Sequence, residues 1–155
     1  MRSKVKTIVS SGLVAGTLDI TAAILIYSVI LHKTTAEKIL RSIASGIFKK
    51  EAYTNGLEMT FLGLGLHFLI AFIFAWFYFK IFPYIPFFKI NTFLSGITYG
   101  FFIWVVMNLI VLPIVFPVLP EKNLDFALLL SILIVIFCVG IPIAFITRKY
   151  YAKWY

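Results

Sequence analysis

Four long apolar runs, separated by short polar or proline-bearing breaks, set the pattern of this chain. They extend approximately over residues 7–31, 57–82, 91–116 and 124–147. A helix rising 1.5 Å per residue needs about 20 apolar residues to cross a hydrocarbon core, and each run meets that length. Lys33, Thr34 and Thr35 close the first run, Pro83 and Pro86 the second, Pro117 and Pro120 the third, and Arg148 with Lys149 the fourth. Backbone groups in lipid must be satisfied within the segment, so each run is expected to be helical. None shows the polar–apolar alternation of a membrane barrel strand. The fold class expected is therefore all-α: one transmembrane domain of four helices over residues 1–155.

Residues 35–50 follow a different pattern. Ala36, Ile39, Leu40, Ile43 and Ile47 recur on one helical face, with Lys38, Arg41 and Lys49 opposite, and Thr34-x-x-Glu37 has the spacing of a capping box. Two readings fit an amphipathic helix between the first two spans. It lies in the membrane interface, or it is a connector whose apolar side packs on the bundle.

Composition agrees with a lipid solvent. Of 155 residues, 62% are hydrophobic and only 13% charged, far from the balance of a soluble domain. The formal charge of +8 would point to nucleic acid in a soluble protein, but here the cations flank apolar runs, where headgroups attract them. The partner expected is the lipid bilayer, not nucleic acid. The basic start, Met1 to Lys6, resembles a secretory signal. The apolar run behind it is too long for one and carries Asp19, so it reads as an uncleaved first span. With both termini in the cytoplasm, Arg2, Lys4, Lys6, Lys80, Lys89, Arg148, Lys149 and Lys153 lie inside, against Lys33, Lys38, Arg41, Lys49, Lys50 and Lys122 outside. Eight against six favours that orientation, and so near a balance also fits an antiparallel homodimer of dual topology. Tyr27, Trp76, Tyr78, Tyr84, Tyr99, Trp154 and Tyr155 are placed as interfacial anchors.

Candidate chemistry lies where ionisable groups interrupt the apolar runs. A charge at the bilayer centre costs about 2.5–3.5 kcal/mol on insertion scales, so each such group is a site hypothesis. Asp19 falls in the middle of the first span and His67 near the middle of the second. At about 100° per residue, Gly12, Gly16, Asp19, Ala23 and Tyr27 share one face, and Thr60, Gly63, His67, Ala71 and Tyr78 share another. Small residues let helices approach closely, so these faces are expected to meet each other or a further helix, with Asp19 and His67 at similar depth and able to pair. The third span adds Asn108, followed by Pro113, and the fourth has Gly140 followed by Pro142; both prolines predict kinks. Ser95-Gly96-x-x-x-Gly100 at the start of the third span echoes Ser11-Gly12-x-x-x-Gly16 in the first, as two related hairpins would.

Asp19, His67 and Asn108 are thus the intramembrane polar site, and Gly12, Gly16, Gly63, Gly96 and Gly100 the packing positions. No phosphate loop, nucleophile elbow or Cys-x-x-Cys is present, and the only cysteine is Cys138. No metal site, cofactor or enzymatic activity is expected. A proton-coupled carrier of a small solute is one reading of the polar site. An accessory subunit binding a partner membrane protein or lipid is the other.

The runs Gly63-Leu64-Gly65-Leu66-His67-Phe68, Ser95-Gly96-Ile97-Thr98-Tyr99-Gly100 and Met107-Asn108-Leu109-Ile110-Val111-Leu112-Pro113 resemble small uncharacterised bacterial inner-membrane proteins, in particular the YagU-like family of unknown function. The resemblance implies a multi-pass protein of the bacterial inner membrane. It carries over no catalytic residue.

Overall fold

A computed structural model describes residues 3–116 and 126–152. Among these the chain is helical with no strand. In chain order the elements are α1 (Lys4–Ile30), α2 (Ala36–Phe48), α3 (Glu51–Thr54), α4 (Leu57–Tyr84), α5 (Pro86–Ile90), α6 (Thr92–Val115) and α7 (Phe126–Tyr151). The helices α1, α4, α6 and α7 are each long and apolar enough to cross a membrane, and correspond to the four expected runs. Their outer faces expose large apolar side chains such as Val5, Phe61, Ile73 and Leu109. An apolar surface of this extent suits a lipid solvent.

Glycines set how the spans pack. A Cβ on Gly12 would lie 2.3 Å from the Phe72 ring, and one on Gly16 would lie 2.8 Å from the Phe68 ring, so α1 and α4 run antiparallel in close contact. Similarly, a Cβ on Gly96 would fall 2.7 Å from the Ile141 Cα and one on Gly100 2.6 Å from the Ile136 Cα. Gly140 answers from α7, its missing side chain aimed at the Gly96 carbonyl and the Gly100 backbone. Each of the two Ser-Gly-x-x-x-Gly motifs therefore seats its own span against the span that follows it. Helix association in lipid relies on such close van der Waals approach, because burial of apolar surface gives no drive there. The helix α7 also packs on α1, which closes one side of the bundle.

Gly63 behaves differently. Its face was expected to meet the Gly12 face or a further helix, and the helix it meets is α2: a Cβ there would collide with the Leu40 carbonyl oxygen. The amphipathic helix lies across α4 on this glycine, so its apolar side packs on the bundle. It is capped by Thr35, whose side chain accepts the Lys38 N–H at 3.2 Å, and not by Thr34. Glu37 does not close a capping box; it pairs with Arg41 at 2.7 Å, one helical turn on. At its far end α2 reaches α6. Lys49, with φ of 50°, donates from Nζ to the Val115 carbonyl at 2.8 Å and stands 5.6 Å from the centre of the Phe116 ring.

The end of the bundle that carries the N-terminal start of α1 is filled by aromatic rings. Tyr78, Phe82, Phe88 and Tyr99 are buried together, and Tyr151 stacks on Phe82. Tyr99 donates to the Phe74 carbonyl at 2.6 Å, and the Tyr78 and Ser95 hydroxyls share a short hydrogen bond. Tyr78 and Tyr99 were placed as interfacial anchors; they are core residues, 0% and 2% exposed. A phenol can be buried once its hydroxyl is satisfied, and both of these are. Trp76 and Tyr84 do lie on the outer surface. Trp154 and Tyr155 lie outside the described residues.

Candidate functional site

Above the aromatic seal α4 and α6 separate, and a cavity of about 830 Å³ lies between them. Its walls are almost wholly apolar: Ile70 and Phe74 come from α4, Ile103 and Met107 from α6, Val135 and Val139 from α7. The α2 helix forms its far wall through Ser42, Ile43, Ser45 and Gly46. The lining reaches the exposed residues Ile47 and Tyr53 at the α2 end, and Leu69, 53% exposed, on the outward side of α4. A volume of this order suits a drug-sized molecule.

Asp19, His67 and Asn108 all line this one cavity. They come from three different spans and were singled out only because each interrupts an apolar run. The expected Asp19–His67 ion pair is not formed. His67 Nε2 instead lies 2.8 Å from the Gly16 carbonyl oxygen, one turn before Asp19 on α1. A carbonyl can only accept, so Nε2 carries the hydrogen, which fixes the tautomer of the neutral ring. No described residue donates a hydrogen bond to the Asp19 carboxylate. Asn108 donates from Nδ2 to the Trp104 carbonyl at 3.0 Å, and Trp104 donates from Nε1 to Ser131 Oγ at 2.9 Å. The Ser131 hydroxyl thereby ties α6 to α7 beside the site.

Around the cavity the backbone itself widens. Ile24–Ile30 of α1, Val106–Val111 of α6 and Val135–Gly140 of α7 are π-helical. Leu31 N–H bonds to the Ile26 carbonyl at 2.9 Å, five residues back, and Leu112 and Ile141 do the same to Met107 and Ile136. Two of these segments run directly into the prolines that predicted kinks, Pro113 and Pro142. Proline has no N–H to close the α-helical turn, so the preceding turn is free to widen to the longer bond. Asn108 sits inside one such segment and Cys138 inside another. Such π turns occur often at functional sites, and here those of α6 and α7 line the cavity, while that of α1 begins five residues beyond Asp19.

Residues that the sequence did not single out complete the lining. Met107 lies next to Asn108 in an ordinary apolar run. Ser42, Ser45 and Tyr53 belong to α2 and α3, which look like surface elements, and Tyr53 is held by the Ser45 hydroxyl at 3.3 Å. Nothing in their spacing marks them; only the docking of α2 on Gly63 brings them to the cavity. Compared with known protein families, characterised proteins and solved structures, the chain has no match.

Proposed function

We propose that this protein is a non-enzymatic, multi-pass protein of the bacterial inner membrane, with both termini in the cytoplasm, that binds a small solute in the cavity and couples its movement to protons. One observation carries the reading: three intramembrane polar residues from three spans converge on a single apolar cavity, and the Asp19 carboxylate there has no hydrogen-bond donor from the described residues. A carboxylate that served only to tie helices would have found a partner. Left open to the cavity, it can take up a proton or face a ligand, in alternation. His67, held by the Gly16 carbonyl, sets the field in which it does so. The aromatic seal at one end and the open rim at the other describe a site with access from one side at a time.

The accessory-subunit reading relied on small-residue faces free to take a partner helix. Gly12, Gly16, Gly63, Gly96 and Gly100 are all occupied within the chain, which favours the carrier. The test is reconstitution in liposomes under an imposed pH gradient, with internal pH followed by a trapped dye while a broad panel of solutes is added. Solute-dependent proton movement that disappears in Asp19→Asn is expected. No movement with any solute, together with a stoichiometric membrane partner on purification, would move the reading to the accessory subunit.

A further inference from the structure

The charge and shape of the cavity narrow what it can hold. The chain carries a net charge of +8, yet no Lys or Arg among the described residues lines the cavity, and Asp19 is the one carboxylate that does. His67 contributes no charge in its neutral form, with Nε2–H committed to Gly16. We infer that the ligand is a lipophilic, singly charged organic cation, its charge facing Asp19 and its apolar groups lying against α4 and α6. This rests on the reading of the cavity as a solute site.

Each alternative class fails on a particular feature. An anion would meet the Asp19 carboxylate with no cation to offset it. A divalent metal would need several ligands, and no group of three or more His, Cys, Asp or Glu side chains gathers among the described residues. A small inorganic cation would lose its hydration shell to aliphatic walls that cannot replace it. A doubly charged organic molecule would leave one charge unpaired in an apolar cavity. An organic monocation meets no such obstacle: one carboxylate balances it, the walls take its apolar body, and the Phe74 and Tyr53 rings on the lining favour positive charge. Leu69, lining the cavity and exposed on the outer side of α4, marks a lateral way in for a molecule already dissolved in lipid.

A proton and this cation then compete. The titratable groups about Asp19 are His67 from α4, Cys138 from α7 and Tyr53 from α3, while the lining parts of α2 and α6 present only Ser42, Ser45 and Asn108 as polar groups. A proton on Asp19 removes the counter-charge and weakens binding, so affinity falls as pH falls.

The deciding experiment measures binding of tetraphenylphosphonium and of tetraphenylborate, of nearly the same shape and opposite charge, to the purified full chain in one detergent. Saturable binding of the phosphonium is expected, weakened about tenfold or more by Asp19→Asn and by Met107→Trp, which fills the cavity, but retained in Asp19→Glu. The borate is expected to show no saturable binding. Equal binding of both ions to the wild type, or phosphonium binding indifferent to Asp19→Asn, would overturn the inference. The comparison of the two ions on the wild type decides it even where a variant does not fold. Asp19-dependent phosphonium binding without solute-driven proton movement in liposomes would remove the transport reading and leave this one standing; proton movement without phosphonium binding would do the reverse.

Discussion

At the scale of single residues, the sequence exposes the site because polarity inside an apolar run is costly and so conspicuous. Asp19, His67 and Asn108 could be picked out individually for that reason, and all three do line one cavity. What they bond to was not legible. His67 takes the Gly16 carbonyl in place of Asp19, since the closest acceptor on α1 is set by the helix register and not by which residues carry charge. The consequence can be measured. If the Asp19 carboxylate has no donor to lose, Asp19→Asn removes a buried charge and breaks no bond. The thermal midpoint of the purified protein at pH 7 should then rise by a few degrees, corresponding to about 1–2 kcal/mol. A marked fall would mean that the carboxylate holds the bundle together.

At the scale of elements, the spans were readable to within a few residues at most ends, because length and hydropathy alone define them. Their neighbours were not readable. A helix that is apolar all round gives no sign of which face turns inward, and a small-residue stripe announces a close approach without naming the partner. Gly63 shows this: its face was expected to meet the Gly12 face or a further helix, and which helix, α2, could not be read from the stripe. The same contact makes a sharp prediction. In Gly63→Ala the new methyl group would collide with the Leu40 backbone carbonyl, which cannot swing aside as a side chain can, so α2 must lift from α4. A loss of about 1–3 kcal/mol is expected, with faster proteolysis between residues 32 and 56. Gly65, two residues on, has nothing within 4 Å of its absent Cβ, and Gly65→Ala should be neutral or mildly stabilising. If thermal denaturation finds the two variants equally destabilised, then α2 is not docked on Gly63.

At the scale of the whole molecule, the cavity was invisible in the sequence because an empty volume belongs to no residue. It exists because two glycine-seated hairpins hold α1 on α4 and α6 on α7, while α4 and α6 share no comparable glycine contact and meet mainly through tyrosines at one end. The echo between the two Ser-Gly-x-x-x-Gly motifs thus has a structural meaning: the hairpins repeat, and the site lies where their repetition leaves a gap. The π turns of α6 and α7 widen that gap on one side of the tyrosines only, so in this state access should be one-sided. In a Cys138→Ala background, Met107→Cys reports from the cavity wall and Lys38→Cys from the exposed face of α2. A charged, membrane-impermeant thiol reagent should reach both quickly from the same face of sealed vesicles; from the other it should miss Lys38→Cys and reach Met107→Cys only slowly, as the carrier turns its site over. With α2 outside, as the charge pattern favours, the fast face is the extracytoplasmic one. Equally fast labelling of Met107→Cys from both faces would show that Tyr78 and Tyr99 do not close their end. Labelling of both positions only from the cytoplasmic face would keep the seal and invert the orientation, because the seal depends on ring packing and the orientation on a small excess of lysine and arginine.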